Sequence, residues 1–323
     1  MTAIPSDPPV RLMAAPFTAF DRDGGLDLDR IADQVAGLRA DGVHAAFVCG
    51  TTGEGASLAE AERMRVVQRW CIEAGPEFDV VVHVGHASLR VAIELARHAA
   101  STGATAVAAV APYFHRPRTV DELVEACAEV AGAAGSLPFY FYHLPDMTGV
   151  RVAMAEFIAL GRERIPNFAG VKFTHNDLAE LGQCLQVAGD DLEIMAGRDE
   201  ILLASLAVGA DSAVGSTYNF AAPVYLDMAD AFASGDLASA RHLQQVTRGM
   251  IDLVQPFGGL PALKAIASMV GVDCGPCRLP LHDLDDAARA GLRQELERIG
   301  FLKTLEQSRT RRGAVNETAA QTV

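Results

Sequence analysis

The chain has 323 residues, of which 50% are hydrophobic and only 6% aromatic, so it carries enough aliphatic side chains for a large core. Charged residues make up 21%, close to the globular norm of about 25%, which excludes a disordered chain, a collagen-like chain and a coiled coil. The formal net charge of −14 at pH 7 disfavours nucleic acid and anionic membrane surfaces as partners.

Membrane and secretory signals are missing from the sequence pattern. No apolar run reaches the roughly 18 residues that a membrane span needs. Residues 1–9 have neither the basic segment nor the apolar segment of a secretory signal. We therefore expect a cytoplasmic protein that does not bind a membrane.

Short apolar runs alternate with amphipathic stretches along the first two thirds of the chain. The runs do not alternate between apolar and polar residues, which is typical of parallel strands buried on both faces. Eight strands are predicted, at residues 10–16, 43–50, 80–85, 105–112, 138–143, 168–173, 192–197 and 212–216. This alternation predicts an α/β fold, a (β/α)8 TIM barrel. The competing doubly wound sheet is disfavoured because no GxGxxG follows the first strand.

The last hundred residues show no further strand pattern. Helices are predicted at residues 223–234, 237–254, 261–270 and 284–299. We therefore expect a barrel core carrying the active site at 1–220 and a helical extension of the same domain at 221–303. From residue 304 the composition becomes polar, which predicts a disordered tail at 304–323.

Six cysteines are spread too thinly for a disulfide scaffold. Cys274-Gly-Pro-Cys277 has the spacing of a thioredoxin-type redox motif, but it follows a helical stretch instead of lying between a strand and a helix. A zinc site would need two more ligands at matching spacing, and none is nearby. A redox role for these two cysteines remains a minor alternative.

Polar residues stand at the carboxyl ends of the predicted strands, where barrel enzymes carry their active sites. Lys172, one of only three lysines, lies inside an otherwise apolar strand, near its carboxyl end. Desolvation lowers the pKa of an amine, and a neutral amine can attack a carbonyl to form a Schiff base. A buried ion pair, or a lysine that extends to water, would explain the same position. Tyr142 ends another strand, where a phenol can either relay protons or simply pack in the core.

Other strand ends offer groups that could bind a ligand. The loop Gly50-Thr-Thr-Gly53 presents Thr51 and Thr52, whose hydroxyl and N–H groups suit a carboxylate, although an ordinary turn would look the same. Asp199 and Glu200 could hold sugar hydroxyls or merely favour the first turn of a helix. His175 and its neighbour Asn176 have the character of capping and rim residues.

Taken together, these motifs resemble the class I aldolase family of dihydrodipicolinate synthase and N-acetylneuraminate lyase. The resemblance extends from about residue 8 to residue 302 and is closest to the animal-type lyase branch. It rests on Gly50-Thr-Thr-Gly-Glu54, Tyr142-His-Leu-Pro145, Gly170-Val-Lys-Phe-Thr174, Leu181-Gly-Gln-Cys184, Ala213-Val-Gly-Ser-Thr-Tyr-Asn219 and Arg278-Leu-Pro-Leu281. Synthases of the family carry an arginine five residues after the strand-end tyrosine and a tyrosine pair after the fourth strand. This chain has Met147 and Tyr113-Phe114 there, which counts against the synthase.

The resemblance implies a sialic acid lyase that cleaves its substrate to pyruvate and N-acetylmannosamine. It implies Lys172 as the Schiff-base lysine and Tyr142 as the proton shuttle, with no metal or organic cofactor. The implied substrate-binding residues are Thr51, Thr52, Thr174, Gly197, Asp199, Glu200 and Ser216. Because members of this family are usually tetramers, it also implies a homotetramer, with a sugar acid and pyruvate as small-molecule partners.

Rival readings remain open at this point. Another pyruvate-dependent aldolase or dehydratase of the family could act on a different 2-keto-3-deoxy sugar acid. Dihydrodipicolinate synthase is a weaker candidate because of the departures at Met147 and Phe114. A barrel that binds sugar acids without catalysis is more remote, since such a sensor would need neither Lys172 nor Tyr142.

Overall fold

The computed structural model describes residues 10–320, with side chains through residue 314. Eight parallel strands pair in chain order and close into a barrel, with β8 beside β1. The strands are β1 (Arg11–Ala14), β2 (Ala45–Val48), β3 (Asp79–His83), β4 (Ala106–Val110), β5 (Phe139–His143), β6 (Phe168–Phe173), β7 (Glu193–Ala196) and β8 (Ser212–Gly215). Each coincides with a predicted strand, so the (β/α)8 fold class is confirmed.

Helices cover the outside of the barrel and continue beyond its last strand. They are α1 (Arg30–Ala40), α2 (Glu60–Ala74), α3 (Leu89–Ser101), α4 (Val120–Ala133), α5 (Pro145–Thr148), α6 (Met154–Arg164), α7 (Leu178–Ala188), α8 (Leu202–Ala207), α9 (Tyr218–Ala233), α10 (Leu237–Val254), α11 (Leu260–Val270), α12 (Asp286–Arg298) and α13 (Phe301–Ala320). Within residues 10–320 none of these helices is both long enough and apolar enough to cross a membrane.

Strand residues alternate between the barrel interior and the layer between strands and helices. On β5, Phe139 and Phe141 belong to the outer core, whereas Tyr140 and Tyr142 belong to the inner cluster. Side chains on a strand point to opposite faces in turn, so this alternation directs Tyr142 into the barrel. The interior is filled by packed side chains and is therefore a core rather than a channel.

An irregularity in the pairing of β5 with β6 sets the position of Lys172. Phe139 pairs with Phe168, but the next residue, Tyr140, pairs with Gly170, so one residue of β6 is left over. Gly170 has a φ of 147°, and a Cβ atom there would lie 1.9 Å from the carbonyl oxygen of Glu193. Only glycine fits this backbone, and the shift makes Lys172 the partner of Tyr142.

The predicted disordered tail is contradicted, because residues 301–320 form α13. The arginines that make this segment polar are paired with acidic residues at the end of α1 and within α9. Arg309 Nη2 lies 2.8 Å from Asp41 Oδ2, and Arg311 Nη1 lies 3.0 Å from the buried Asp227. Phe301 and Leu305 are buried in the core. Residues 321–323 of the predicted tail lie outside the described residues.

Candidate active site

Lys172 lies inside the barrel near the carboxyl end of β6, with only 4% of its surface exposed. Its Nζ is 3.7 Å from the ring centre of Phe47 and 4.2 Å from that of Tyr142. Burial among these rings lowers the pKa of the amine to about 7, against an opposing effect of the Asp199 charge. A substantial fraction of Lys172 is therefore a neutral, nucleophilic amine near neutral pH.

Tyr142 is buried beside this amine. Its hydroxyl lies 3.3 Å from Thr51 Oγ1, and its ring makes edge contacts with Phe47 and His83. Burial raises the pKa of the phenol, and the nearby Thr51 and Thr174 hydroxyls oppose that rise. The phenol is therefore protonated at neutral pH and already linked to a second hydroxyl, as a proton relay requires.

The loop after β2 brings Thr51 and Thr52 to the same end of the barrel. Thr52 Oγ1 lies 2.5 Å from Ser216 Oγ, which joins this loop to the one after β8. Glu54 fixes this loop through a buried ion pair. Its Oε1 lies 2.9 Å from Lys264 Nζ, and both side chains are buried. Glu54 has a φ of 52°, a left-handed conformation that the ion pair helps to maintain.

Asp199 lies in the loop after β7, three residues beyond the end of the strand, and is buried close to Lys172. Its Oδ2 accepts hydrogen bonds from the backbone N–H of Thr217 at 3.1 Å and from the Thr217 hydroxyl at 2.6 Å. Burial raises the pKa of this carboxyl to about 6, against the effect of the Thr217 bonds and of Lys172. The carboxylate lies over Gly215, where a Cβ atom would be 2.0 Å from Oδ1.

The other predicted residues are on adjoining loops. The backbone N–H of Gly197 donates to Phe173 at 2.8 Å, and a Cβ atom on Gly197 would lie 2.1 Å from Thr174 Oγ1. Glu200 is half-buried, with its Oε1 3.6 Å from Arg198 Nη1. The fold thus brings all nine predicted residues to the carboxyl end of the strands.

Sequence reasoning missed residues that shape the site. Phe47 supplies the ring beneath the amine, and nothing in the apolar pattern of β2 distinguishes it from ordinary core. Thr217 holds Asp199; it stood beside Ser216 in the quoted motif, so its hydroxyl was a visible signal. Arg198 extends across the rim and forms a 2.8 Å ion pair with Asp146.

A wide cleft of about 1120 Å³ opens at the opposite end of the barrel. Three of the groups that line it are paired with one another: Arg11 Nη2 lies 2.8 Å from Glu193 Oε1, and the Tyr140 hydroxyl donates to Glu193 Oε2 at 2.8 Å. These contacts link β1, β5 and β7 at the amino-terminal end of the barrel. Lys172 and Tyr142 lie at the other end, so this cleft is not the candidate active site.

The fold and the site define a class I aldolase barrel, and comparison with known proteins gives its family. The Dihydrodipicolinate synthetase family matches residues 8–299, and the chain belongs to this family. The N-acetylneuraminate lyase of Mus musculus is 39% identical over 298 residues, which cover 91% of this chain and 93% of that protein. The N-acetylneuraminate lyase of Gallus gallus is 41% identical over 293 residues, with coverages of 89% and 95%.

Solved structures of bacterial relatives have the same fold. The N-acetylneuraminate lyase of Proteus mirabilis superposes with a TM-score of 0.87 at 37% identity, covering 91% of this chain and all of that one (100%). The sialic acid aldolase of Aliivibrio salmonicida gives the same TM-score of 0.87 and identity of 37%, covering 91% and 98%. Sequence and structure therefore agree on the family.

Proposed function

We propose that the protein is an N-acetylneuraminate lyase, which reversibly cleaves its substrate to pyruvate and N-acetylmannosamine through a Schiff base on Lys172. The observation that carries the proposal is the buried amine of Lys172 lying against the ring of Tyr142 at the carboxyl end of the barrel. Relatives with this activity in their names are about 40% identical over most of the chain, which supports the choice of substrate.

The reaction begins at the C2 ketone of the open-chain sugar acid. The neutral amine of Lys172 adds to this carbon, and loss of water together with uptake of one proton, which the Tyr142 phenol supplies, gives a protonated imine. The positive nitrogen attracts the electrons of the neighbouring bonds and so takes the part that a metal or an organic cofactor has in other aldolases. We therefore propose no cofactor for this chemistry.

Bond cleavage follows when the C4 hydroxyl loses its proton. Tyr142 shuttles this proton together with the substrate's own carboxylate, and Thr51 holds the phenol in place. The C4–O electrons form the aldehyde of N-acetylmannosamine while the C3–C4 pair moves into the enamine on Lys172. After the aldehyde leaves, C3 is protonated, and water hydrolyses the imine to release pyruvate and the free amine.

The remaining polar groups bind the two ends of the substrate. Thr51 and Thr52 hold the carboxylate through hydroxyl and backbone N–H groups. The polyol chain lies against the loops after β6, β7 and β8, with Thr174, the Gly197 backbone, Asp199, Glu200 and Ser216 as its contacts. The exposed Met147 and Phe114 offer neither the cation nor the second phenol of the synthases.

The proposal also covers the location, oligomeric state and partners of the enzyme. We expect a cytoplasmic homotetramer whose partners are the sugar acid and pyruvate, with no nucleic acid or membrane among them. The charge of −14 favours small-molecule recognition by local donors over binding to an anionic surface.

Pyruvate release from N-acetylneuraminate tests the proposal. Wild type is expected to release pyruvate, whereas Lys172→Ala is expected to release none because no imine can form. Lys303→Ala is the matched control, since Lys303 is an exposed lysine on α13. Retention of activity in the control and its loss in Lys172→Ala would support both the substrate and the nucleophile.

Borohydride trapping separates the substrate from the chemistry. Reduction in the presence of pyruvate is expected to attach pyruvate to Lys172. If pyruvate is trapped but none is released from N-acetylneuraminate, the enzyme is an aldolase for another 2-keto-3-deoxy sugar acid. If nothing is trapped on Lys172, the lyase proposal fails, and a barrel that only binds sugar acids becomes the better reading.

A further inference from the structure

Two histidines and a glutamate meet on the outer side of the barrel wall, behind the active site. His143 ends β5, His175 lies in the loop after β6, and Glu180 stands in the first turn of α7. His143 directly follows Tyr142, so strand alternation directs its ring away from the barrel interior. The ring packs 5.1 Å from that of Phe173.

The possible metal-binding atoms of this cluster lie close to one another. His143 Nε2 lies 4.0 Å from Glu180 Oε2, and His175 Nδ1 lies 3.4 Å from the same oxygen. The three atoms all fall within 4.8 Å of one another. Two imidazole nitrogens and one carboxylate oxygen form a donor set found in zinc sites of proteins.

The ring nitrogen Nε2 of His143 is buried and forms no hydrogen bond with the rest of the described chain. His143 is only 3% exposed, and its Nε2 has no hydrogen-bond partner among the described residues. A buried ring nitrogen without a hydrogen-bond partner is available to coordinate a cation, which would satisfy it.

The carboxylate is turned toward the histidines by a second contact. Glu180 Oε1 accepts a hydrogen bond from the backbone N–H of Met154 at 3.4 Å, which leaves Oε2 facing the two rings. Outer contacts of this kind orient metal ligands. The nearby cation of Arg151, with its Nη1 3.5 Å from His175 Nε2, is balanced by Asp146 at 3.0 Å.

We propose that His143 Nε2, His175 Nδ1 and Glu180 Oε2 bind a divalent first-row transition metal ion, for which Zn²⁺ is the best match. Tetrahedral zinc with bonds of about 2.1 Å places its ligand atoms roughly 3.4 Å apart. The distance from Glu180 to His175 already fits, and the distance to His143 must shorten slightly. Glu180 and His175 are each about one-fifth exposed at the side chain, so they can make that adjustment while His143 stays fixed.

A metal at this position would brace the wall of the active site. It would tie the end of β5 to the loop after β6 and to the start of α7. His143 and His175 directly follow Tyr142 and Thr174, so the brace would restrain both of these residues. The ion would touch neither Lys172 nor the substrate, and the proposal does not rest on the lyase function.

Zinc binding by the metal-stripped full-length chain tests the site. Calorimetric titration with Zn²⁺ alone near neutral pH is expected to show one equivalent bound at micromolar concentration or below. His175→Asn and Glu180→Gln are expected to weaken that binding about tenfold or more. His242→Asn, at an exposed histidine of α10, is the matched control and is expected to bind as wild type does.

The free cysteines can also bind zinc, and the same variants distinguish binding at the proposed site from binding to cysteine. If wild type fails to bind at micromolar Zn²⁺, or if His175→Asn and Glu180→Gln bind as tightly as wild type, the site is refuted. Circular dichroism of each variant checks that it is folded, and both substitutions are at partly exposed side chains. Zinc is further expected to raise the melting temperature of wild type but not that of the two site variants.

Discussion

Tyr142 and Lys172 are register partners on neighbouring parallel strands, and the amine of Lys172 lies 4.2 Å from the centre of the Tyr142 ring. The shift at Gly170 produces this pairing, because it moves Lys172 by one residue relative to β5. The proposed nucleophile and the proposed proton shuttle are thus both held on paired strands of the barrel wall. Residues placed in this way keep their geometry without support from a ligand.

The Tyr142→Phe variant tests the contribution of the Tyr142 hydroxyl separately from that of its ring. The substitution keeps the aromatic surface against Lys172 but removes the oxygen that lies 3.3 Å from Thr51. We expect kcat for cleavage of N-acetylneuraminate to fall about 10²–10⁴-fold, as for loss of a general acid–base. Borohydride should still trap pyruvate on Lys172. Steady-state kinetics with the half-exposed Tyr113→Phe as control would contradict the assignment if both variants cleaved at the wild-type rate.

Formation of the pyruvate imine is expected to depend on pH through Lys172. Only the neutral amine attacks, and its pKa is lowered to about 7, so the rate should rise with pH through about 7 and then level off. Below that midpoint the rate should fall about tenfold per pH unit. Timed borohydride trapping over a pH series measures the midpoint. A midpoint near the ordinary lysine value would contradict the burial argument.

Asp199→Asn should move that midpoint to lower pH. The pKa of Asp199 is raised to about 6, so this carboxyl is largely ionised at pH 7 and stabilises the ammonium form of Lys172. Removing the negative charge makes the amine easier to deprotonate, which lowers its pKa. Asp252→Asn, at an exposed residue of α10, is the control. An unchanged or higher midpoint in Asp199→Asn would show that this charge does not act on Lys172.

Gly215→Ala is expected to disable the site without unfolding the protein. A Cβ atom would lie 2.0 Å from Asp199 Oδ1, so the carboxylate must move away from the position that Thr217 gives it. A displacement of about 1 Å can lower a rate about 10²-fold, and we expect a loss of that size in kcat/KM. Gly182→Ala is the control, because a Cβ atom there meets nothing within 4 Å. Equal kinetics in the two variants would contradict this account.

Lys264→Met should destabilise the whole fold through Glu54. Lys264 is 3% exposed, and its Nζ contacts Glu54 Oε1 at 2.9 Å and donates to the carbonyl oxygen of Thr18 at 2.8 Å. Breaking a buried pair leaves an uncompensated charge, at a cost of about 3–5 kcal/mol in the free energy of unfolding. Denaturant titration measures this.

The control for Lys264→Met is a surface pair of similar chemistry. Arg248 and Asp252 lie 3.8 Å apart on α10 with both side chains well exposed. Asp252→Asn is expected to change the free energy of unfolding by less than about 1 kcal/mol. If Lys264→Met is no more harmful than this, Glu54 is not held by the ion pair in the way described.

The sequence alone was enough for the barrel and for its two central residues. Strands buried on both faces are apolar over most of their length, so all eight are visible as short, largely apolar runs. A lysine within such a run is conspicuous because burying its charge is costly. Lys172 and Tyr142 could therefore be singled out from local pattern, and the family resemblance added their roles.

Only the tertiary structure showed how distant residues support the site. Phe47 has the same local pattern as any core phenylalanine, and Lys264 meets Glu54 across more than two hundred residues of chain. The polar tail was predicted to be disordered because its arginines pair with acidic residues that are distant in sequence, Asp41 just after α1 and Asp227 on α9. Hydrophobic periodicity reports which face of an element is buried. It does not report which charged groups from other elements meet there, because that depends on how the helices and strands pack in three dimensions.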